Sequence, residues 1–149
     1  MRAEGQGGLT SAPASRTVVV AGAGIGGLTA AIALAGYGFH VVVLEKAPRL
    51  DEAGAGLQLS PNASGILIRL GLEKHLTERV VTPDDIKIVS ARSGRPIVRI
   101  PLGASAQMRY GAPYWIVHRA DLQAALLARA KENPDIDLRL DAPLSLIHI

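Results

Sequence analysis

Thr17-Val18-Val19-Val20-Ala21-Gly22-Ala23-Gly24-Ile25-Gly26-Gly27-Leu28 is the stretch that decides the fold. A β-branched run, Thr17 to Ala21, meets a glycine cluster in G-x-G-x-x-G register, and Ile25 to Gly36 continues as an Ala/Leu-rich segment at helical spacing. A second β-branched run, His40 to Glu45, completes a strand, helix, strand unit. Two short strands with nearly continuous apolar runs, joined by a helix, predict a parallel pair buried on both faces. Each glycine meets a different mechanical need. Gly22 allows the tight turn, Gly24 lets backbone approach a pyrophosphate, and Gly27 lets the helix pack close to the strand. Ile25 and Gly26 sit between them at the mouth of the helix, where free N–H groups and the positive dipole end face an anion. Glu45, 18 residues beyond Gly27, ends the second strand, where a carboxylate accepts hydrogen bonds from ribose hydroxyls. Turn glycines with no ligand are the plain alternative; strand, helix and terminal acid together favour a dinucleotide. The unit does not separate FAD from NAD, because both carry an ADP half. Lys46 does not separate NAD from NADP, since the neighbouring Glu45 repels a ribose phosphate.

Outward from this unit, Met1 to Ser15 is rich in Gly, Ala, Ser and Thr without periodicity, which predicts a disordered tail over residues 1–16. Downstream, Ser60 and Pro61 supply an N-cap and first-turn proline for a helix through Ile66, Leu67 and Leu70 that Gly71 closes, and a short helix follows over Glu73 to Val80. Ile86 to Ala91, Pro96 to Ile100 and Tyr114 to His118 read as three strands of a separate small sheet, the first two joined at Ser93-Gly94, an excursion over about 84–118. Asp121 to Lys131 returns to helix with Leu122, Ala125 and Leu126 on one face; Asn133-Pro134 ends it before a strand at Ile136 to Leu140 that rejoins the first sheet.

Composition narrows the function classes. The 149 residues carry 16 Lys+Arg against 13 Asp+Glu, a net +3 with no basic run of the kind that tracks a phosphate backbone, so no nucleic-acid partner is expected. Having no cysteine, the chain makes no disulfide scaffold and no cysteine-ligated zinc site. No stretch reaches the roughly 18 consecutive apolar residues of a membrane span. The opening residues lack the apolar core of a secretory signal, and a soluble cytoplasmic setting is expected. His40, His75 and His118 have no metal-ligand spacing.

Two further segments extend the pattern. Gly54-Ala55-Gly56-Leu57-Gln58-Leu59-Ser60-Pro61-Asn62-Ala63 is a glycine-rich loop feeding a capped helix, and His118-Arg119-Ala120-Asp121-Leu122 puts an arginine where a strand meets a helix. With all three motifs in order, from about Thr17 to Leu140, the sequence resembles the flavin-dependent aromatic hydroxylases, single-component FAD monooxygenases akin to salicylate and 3-hydroxybenzoate hydroxylases. The resemblance implies a Rossmann-like FAD-binding α/β unit with a parallel sheet, interrupted by a small β-sheet excursion, as an incomplete domain spanning 17–142. It implies that Gly22, Gly24 and Gly27 cradle the FAD pyrophosphate, that Glu45 holds the adenosine ribose, and that Arg119 contacts the FAD. Gln58 becomes a candidate neighbour of flavin or substrate; some relatives carry a histidine there. The alternatives are a surface ion pair with Asp121 for Arg119 and a plain loop hydrogen bond for Gln58. By the same resemblance NADH or NADPH reduces the FAD, O2 adds to give a flavin hydroperoxide, and one oxygen atom passes to an aromatic, usually phenolic, small-molecule substrate. The competing expectations are another FAD-dependent oxidoreductase on the same scaffold, an epoxidase or a reductase, and a noncatalytic nucleotide-binding module.

Members of that family are more than twice as long, and two of their later flavin-binding motifs are absent from this sequence. Leu144-Ser145-Leu146-Ile147-His148-Ile149 reads like a translated transposase adapter from sequencing-library construction, so residues 143–149 are expected to be a non-native tail. A short native strand is the alternative. A fragment of this kind is expected to aggregate or fold weakly, to bind FAD poorly and to hydroxylate nothing.

Overall fold

A computed structural model of the chain describes residues 16–50 and 54–144. The expected tail over 1–16 and the expected adapter-derived end over 143–149 therefore fall almost entirely outside the described residues. Strand β1 (Thr17–Ala21), helix α1 (Ile25–Gly36) and strand β2 (His40–Leu44) form the predicted unit, with β1 and β2 parallel and in register from Thr17↔His40 to Ala21↔Leu44. The second strand stops one residue short of Glu45, which leaves that carboxylate beyond the sheet. Helix α1 buries Leu28, Ala31, Ile32 and Ala35.

The expected burial on both faces fails for β1. Val18 and Val20 turn toward α1 and are half-buried, whereas Val19 on the opposite face is 58% exposed. Among the described residues β1 is an edge strand: β2 lies in the middle of a three-stranded sheet of order β1-β2-β8, and its Val41 and Val43 are fully buried. A parallel strand needs a layer over each face to be buried twice, and among the described residues β1 has one.

Beyond β2 the chain makes strand β3 (Gly56–Leu59), helix α2 (Pro61–Arg69), helix α3 (Glu73–Leu76) and strand β4 (Val80–Val81). The glycine-rich stretch read as a loop thus contains a strand. Helix α2 ends as expected: Gly71 takes φ +80°, its N–H donates to Ile68 O at 2.9 Å, and the Leu72 N–H donates to Leu67 O at 3.0 Å. This paired C-terminal closure also drives Leu72 into the core, fully buried.

Strands β5 (Asp85–Val89) and β6 (Pro96–Pro101) form the predicted hairpin, with Gly94 at φ +67°. Helix α4 (Gly103–Tyr110) follows, an element the sequence pattern did not announce; Leu102 and Ala106 bury its inner edge and Gly111, at φ +74°, ends it. Strand β7 (Trp115–His118) does not join the hairpin, which corrects the expected three-stranded sheet over 84–118. It pairs antiparallel with β3 and β4 instead. Trp115 and Val117 are buried in the core cluster with α1 and α5, whereas every residue of β6 is exposed. Helix α5 (Arg119–Lys131) then packs against α1, α3 and β7, and strand β8 (Ile136–Arg139) returns to pair parallel with β2. Leu122 and Leu126 of α5, Leu28 of α1 and Leu76 of α3 lie in one core cluster.

Candidate functional site: the glycine turn and its partners

The turn between β1 and α1 is built as its glycines require. Gly22 adopts φ +93°, which an L side chain rarely takes, and its N–H donates to Leu44 O at 2.7 Å, tying the turn to β2. A Cβ on Gly27 would lie 1.9 Å from Gly22 O and 3.5 Å from Val20 Cγ1, so only glycine permits this approach of helix to strand. At Gly24 the opposite holds: nothing lies within 4 Å of the position a Cβ would fill. Gly24 is the N-cap of α1, no acidic side chain stands in the first turn, and the leading amides of the helix have no intrahelical acceptor. Ile25 begins the helix half-buried, and Gly26 beside it is exposed with nothing within 4 Å of its Cβ position.

Glu45 locks onto this turn. Its Oε2 accepts the Ala23 N–H at 2.7 Å and its Oε1 accepts the Ala47 N–H at 2.9 Å. Those two backbone donors, the Ala23 bond first, hold its carboxyl below the usual glutamate range, with a smaller pull from the Lys46 charge; partial burial opposes them. Each oxygen keeps lone-pair capacity for a further donor. Lys46 is exposed and lines, with Gly22, Leu44, Glu45 and Pro143, a small cleft of about 240 Å³.

The two downstream motifs turn out to be strand partners. Gly56 pairs with His118 and Gln58 with Ile116 in the β3–β7 ladder. Arg119 donates its N–H to Ala55 O at 3.2 Å, and a Cβ on Gly54 would fall 2.7 Å from Arg119 Cβ, so a glycine there admits the arginine stem. Asp121, the alternative ion-pair partner for Arg119, pairs with Arg79 at 3.2 Å. His118 caps α5, its Nδ1 accepting the Ala120 N–H. Gln58 is exposed, and its Oε1 accepts the Tyr114 hydroxyl at 2.8 Å. Tyr114 in turn borders a cleft of about 510 Å³ between α2 and α4, lined also by Asn62, Leu102, Ala106 and Tyr110.

Two residues at this site escaped the sequence reading, Tyr114 and Gln123. Gln123 is 5% exposed and its Nε2 donates to Ala23 O at 3.4 Å, across the interface between α5 and the turn. The signal for it was present: a polar side chain between Leu122 and Ala125 on the buried side of a helix needs a partner.

A family model described as an NAD(P)-binding Rossmann-like domain matches residues 20–51. A 3-hydroxybenzoate 6-hydroxylase of Polaromonas naphthalenivorans (strain CJ2) is 42% identical over 129 residues, which cover 87% of this chain and 32% of that protein. The FAD-dependent monooxygenase OpS4 of Beauveria bassiana (strain ARSEF 2860) is 39% identical, over 87% of this chain and 30% of its own. Among solved structures, a 2-methyl-3-hydroxypyridine-5-carboxylic acid oxygenase superposes with a TM-score of 0.72 at 29% identity, over 86% of this chain and 32% of that one. The chain therefore spans about a third of the length of the relatives it matches.

Proposed function

We propose that this chain, a homologue of the FAD-dependent aromatic hydroxylases in sequence and in fold, forms the FAD-binding part of an NAD(P)H-dependent monooxygenase that hydroxylates a phenolic or other aromatic acid. The observation that carries the reading is the open space at Gly24, facing a helix N-terminus, beside a carboxylate already oriented by the Ala23 and Ala47 amides. The residues fit the cofactor: Gly24, Ile25, Gly26 and Gly27 offer amides to a pyrophosphate without side-chain obstruction, and Glu45 has acceptor capacity left for ribose hydroxyls. Gly22 shapes the turn, and Lys46 adds a cation at its rim. Arg119, rooted between Gly54 and the start of α5, and Gln58, oriented by Tyr114, serve the flavin side of the site.

Bound FAD would supply the redox and oxygen chemistry, drawing electrons from NADH or NADPH and using O2 on an aromatic substrate. The chain's own contribution is to bind and orient the cofactor and to exclude water around it. The whole protein works in the cytoplasm, where the nicotinamide donor is available.

Adding FAD to the isotopically labelled chain tests this, with amide resonances followed at Gly22–Gly27 and Glu45. Shifts confined to those residues and to Lys46, Gln58 and Arg119 are expected; unmoved resonances at saturating FAD would sink the reading. The match of residues 20–51 to a domain described as NAD(P)-binding supports a second reading, a nicotinamide dinucleotide on the same turn. Competition separates the two: NADH displacing FAD from the turn at comparable concentration would favour the second.

A further inference from the structure

Ala23 is held from both sides. Its N–H is bound by Glu45 Oε2 and its carbonyl by Gln123 Nε2, and both Ala23 and Gln123 are buried. The two bonds act on different peptide planes. The Ala23 carbonyl and the Gly24 N–H belong to one planar trans peptide and point in opposite directions. A donor that draws the Ala23 carbonyl into the core therefore turns the Gly24 N–H away from the core, and at Gly24 nothing lies within 4 Å of the position a side chain would fill. Without such a tie this peptide is poorly determined, because Gly22 and Gly24 on either side of Ala23 give the backbone wide freedom.

Leucine would fill the position of Gln123 on α5 at lower desolvation cost, so a buried amide here calls for a bond worth keeping. Gln123 also stands one helical turn beyond Arg119, on the same side of α5. We propose that Gln123 is a positioning residue that aims the Gly24 N–H at the pyrophosphate of the bound dinucleotide. The proposal rests on the reading of the turn as a pyrophosphate site.

The test uses the labelled chain with Gln123→Leu and Gln123→Glu. Without ligand, the Gly24 amide order parameter is expected near that of rigid backbone, about 0.85, in the unaltered chain and toward about 0.6 in Gln123→Leu. FAD affinity by flavin fluorescence is expected to fall about tenfold in Gln123→Leu, the size of one lost buried hydrogen bond. Gln123→Glu adds a signature that packing alone does not produce. Its buried carboxyl, raised by desolvation, donates to the Ala23 carbonyl only when protonated, so affinity falls as pH rises through its titration. The unaltered chain lacks that step, and the Glu45 titration is common to both. Equal FAD affinity and an equally rigid Gly24 amide in Gln123→Leu would overturn the proposal. If Gln123→Leu does not fold, a pH profile of Gln123→Glu without the added step overturns it. Failure of the unaltered chain to take up FAD defeats the pyrophosphate reading instead, and the Gly24 order parameters then decide whether Gln123 holds the turn at all.

Discussion

The β1–α1–β2 unit and the β5–β6 hairpin are written in the same alphabet, β-branched residues around a glycine turn, and meet opposite fates. In the first, Val41 and Val43 are fully buried and Gly27 presses helix against strand at a distance no side chain allows. In the second, Ile97 is 65% exposed and every residue of β6 lies open. The hairpin is held by its own ladder and by ion pairs such as Arg99 with Asp85 at 2.5 Å. Two strands alone bury too little to be independently stable. The difference teaches that β-branched pattern selects an extended backbone, while burial is conferred by whatever layer packs on it. Val19, exposed on the uncovered face of an otherwise core strand, shows both behaviours within β1.

The comparison breaks most sharply at Gly27. Gly27→Ala places a Cβ 1.9 Å from Gly22 O, backbone that cannot step aside, and is expected to destabilise the unit by on the order of 4 kcal/mol, the exceptional end for one substitution. Urea unfolding measures it; a loss below about 1 kcal/mol would mean the helix can slide off the strand. Next in size is Leu126→Ala in α5. Leu126 is fully buried in the cluster that joins α5 to α1, and its truncation is expected to cost about 3 kcal/mol by the same measurement.

How far these regions were legible follows the same division. Thr17–Ala21, Ile25–Gly36 and the parallel return of β8 could be read because glycine register, helical spacing and strand pattern all agree locally. The strand over Gly56–Leu59 could not, since its glycines read as loop and its pairing to Trp115–His118 joins residues some 60 positions apart. For the same reason local pattern alone puts β7 beside the hairpin, whereas it pairs with β3 and β4. At the site, what Gly22 and Gly27 do was visible in register alone. The double hold on Ala23 was not, because Gln123 meets it only through the packing of α5 on α1.

Glu45 gives a smaller effect with a defined sign. Its folded carboxyl lies below the ordinary value because the Ala23 and Ala47 amides bind the charged form. A depressed carboxyl contributes stability that is fully present above the unfolded value of about 4.3 and is lost as pH falls through the lower folded value. Stability should therefore decline below about pH 5. Glu45→Gln should lower stability at neutral pH and flatten that decline, read as the urea midpoint against pH. Glu132, depressed by its bond to Lys74, titrates in both proteins and cancels from the difference. Identical slopes in the two would show that the carboxylate does not hold the turn.

The smallest expected effect, on the hairpin, sharpens the comparison most. Exposed as it is, Ile97 contributes little to folding, and Ile97→Ser should change stability by no more than about 0.5 kcal/mol. What should change is association. Ile97, Val98 and Ile100 present apolar side chains on a strand whose outer edge is unpaired among the described residues, a template for pairing with another chain. Serine at 97 and threonine at 98 should then lower the aggregated fraction in light scattering while leaving the urea midpoint in place. A stability loss near that of Leu126→Ala would mean that in solution the hairpin packs onto the body of the chain. The contrast between the two regions would then lie in their strength and not in their burial.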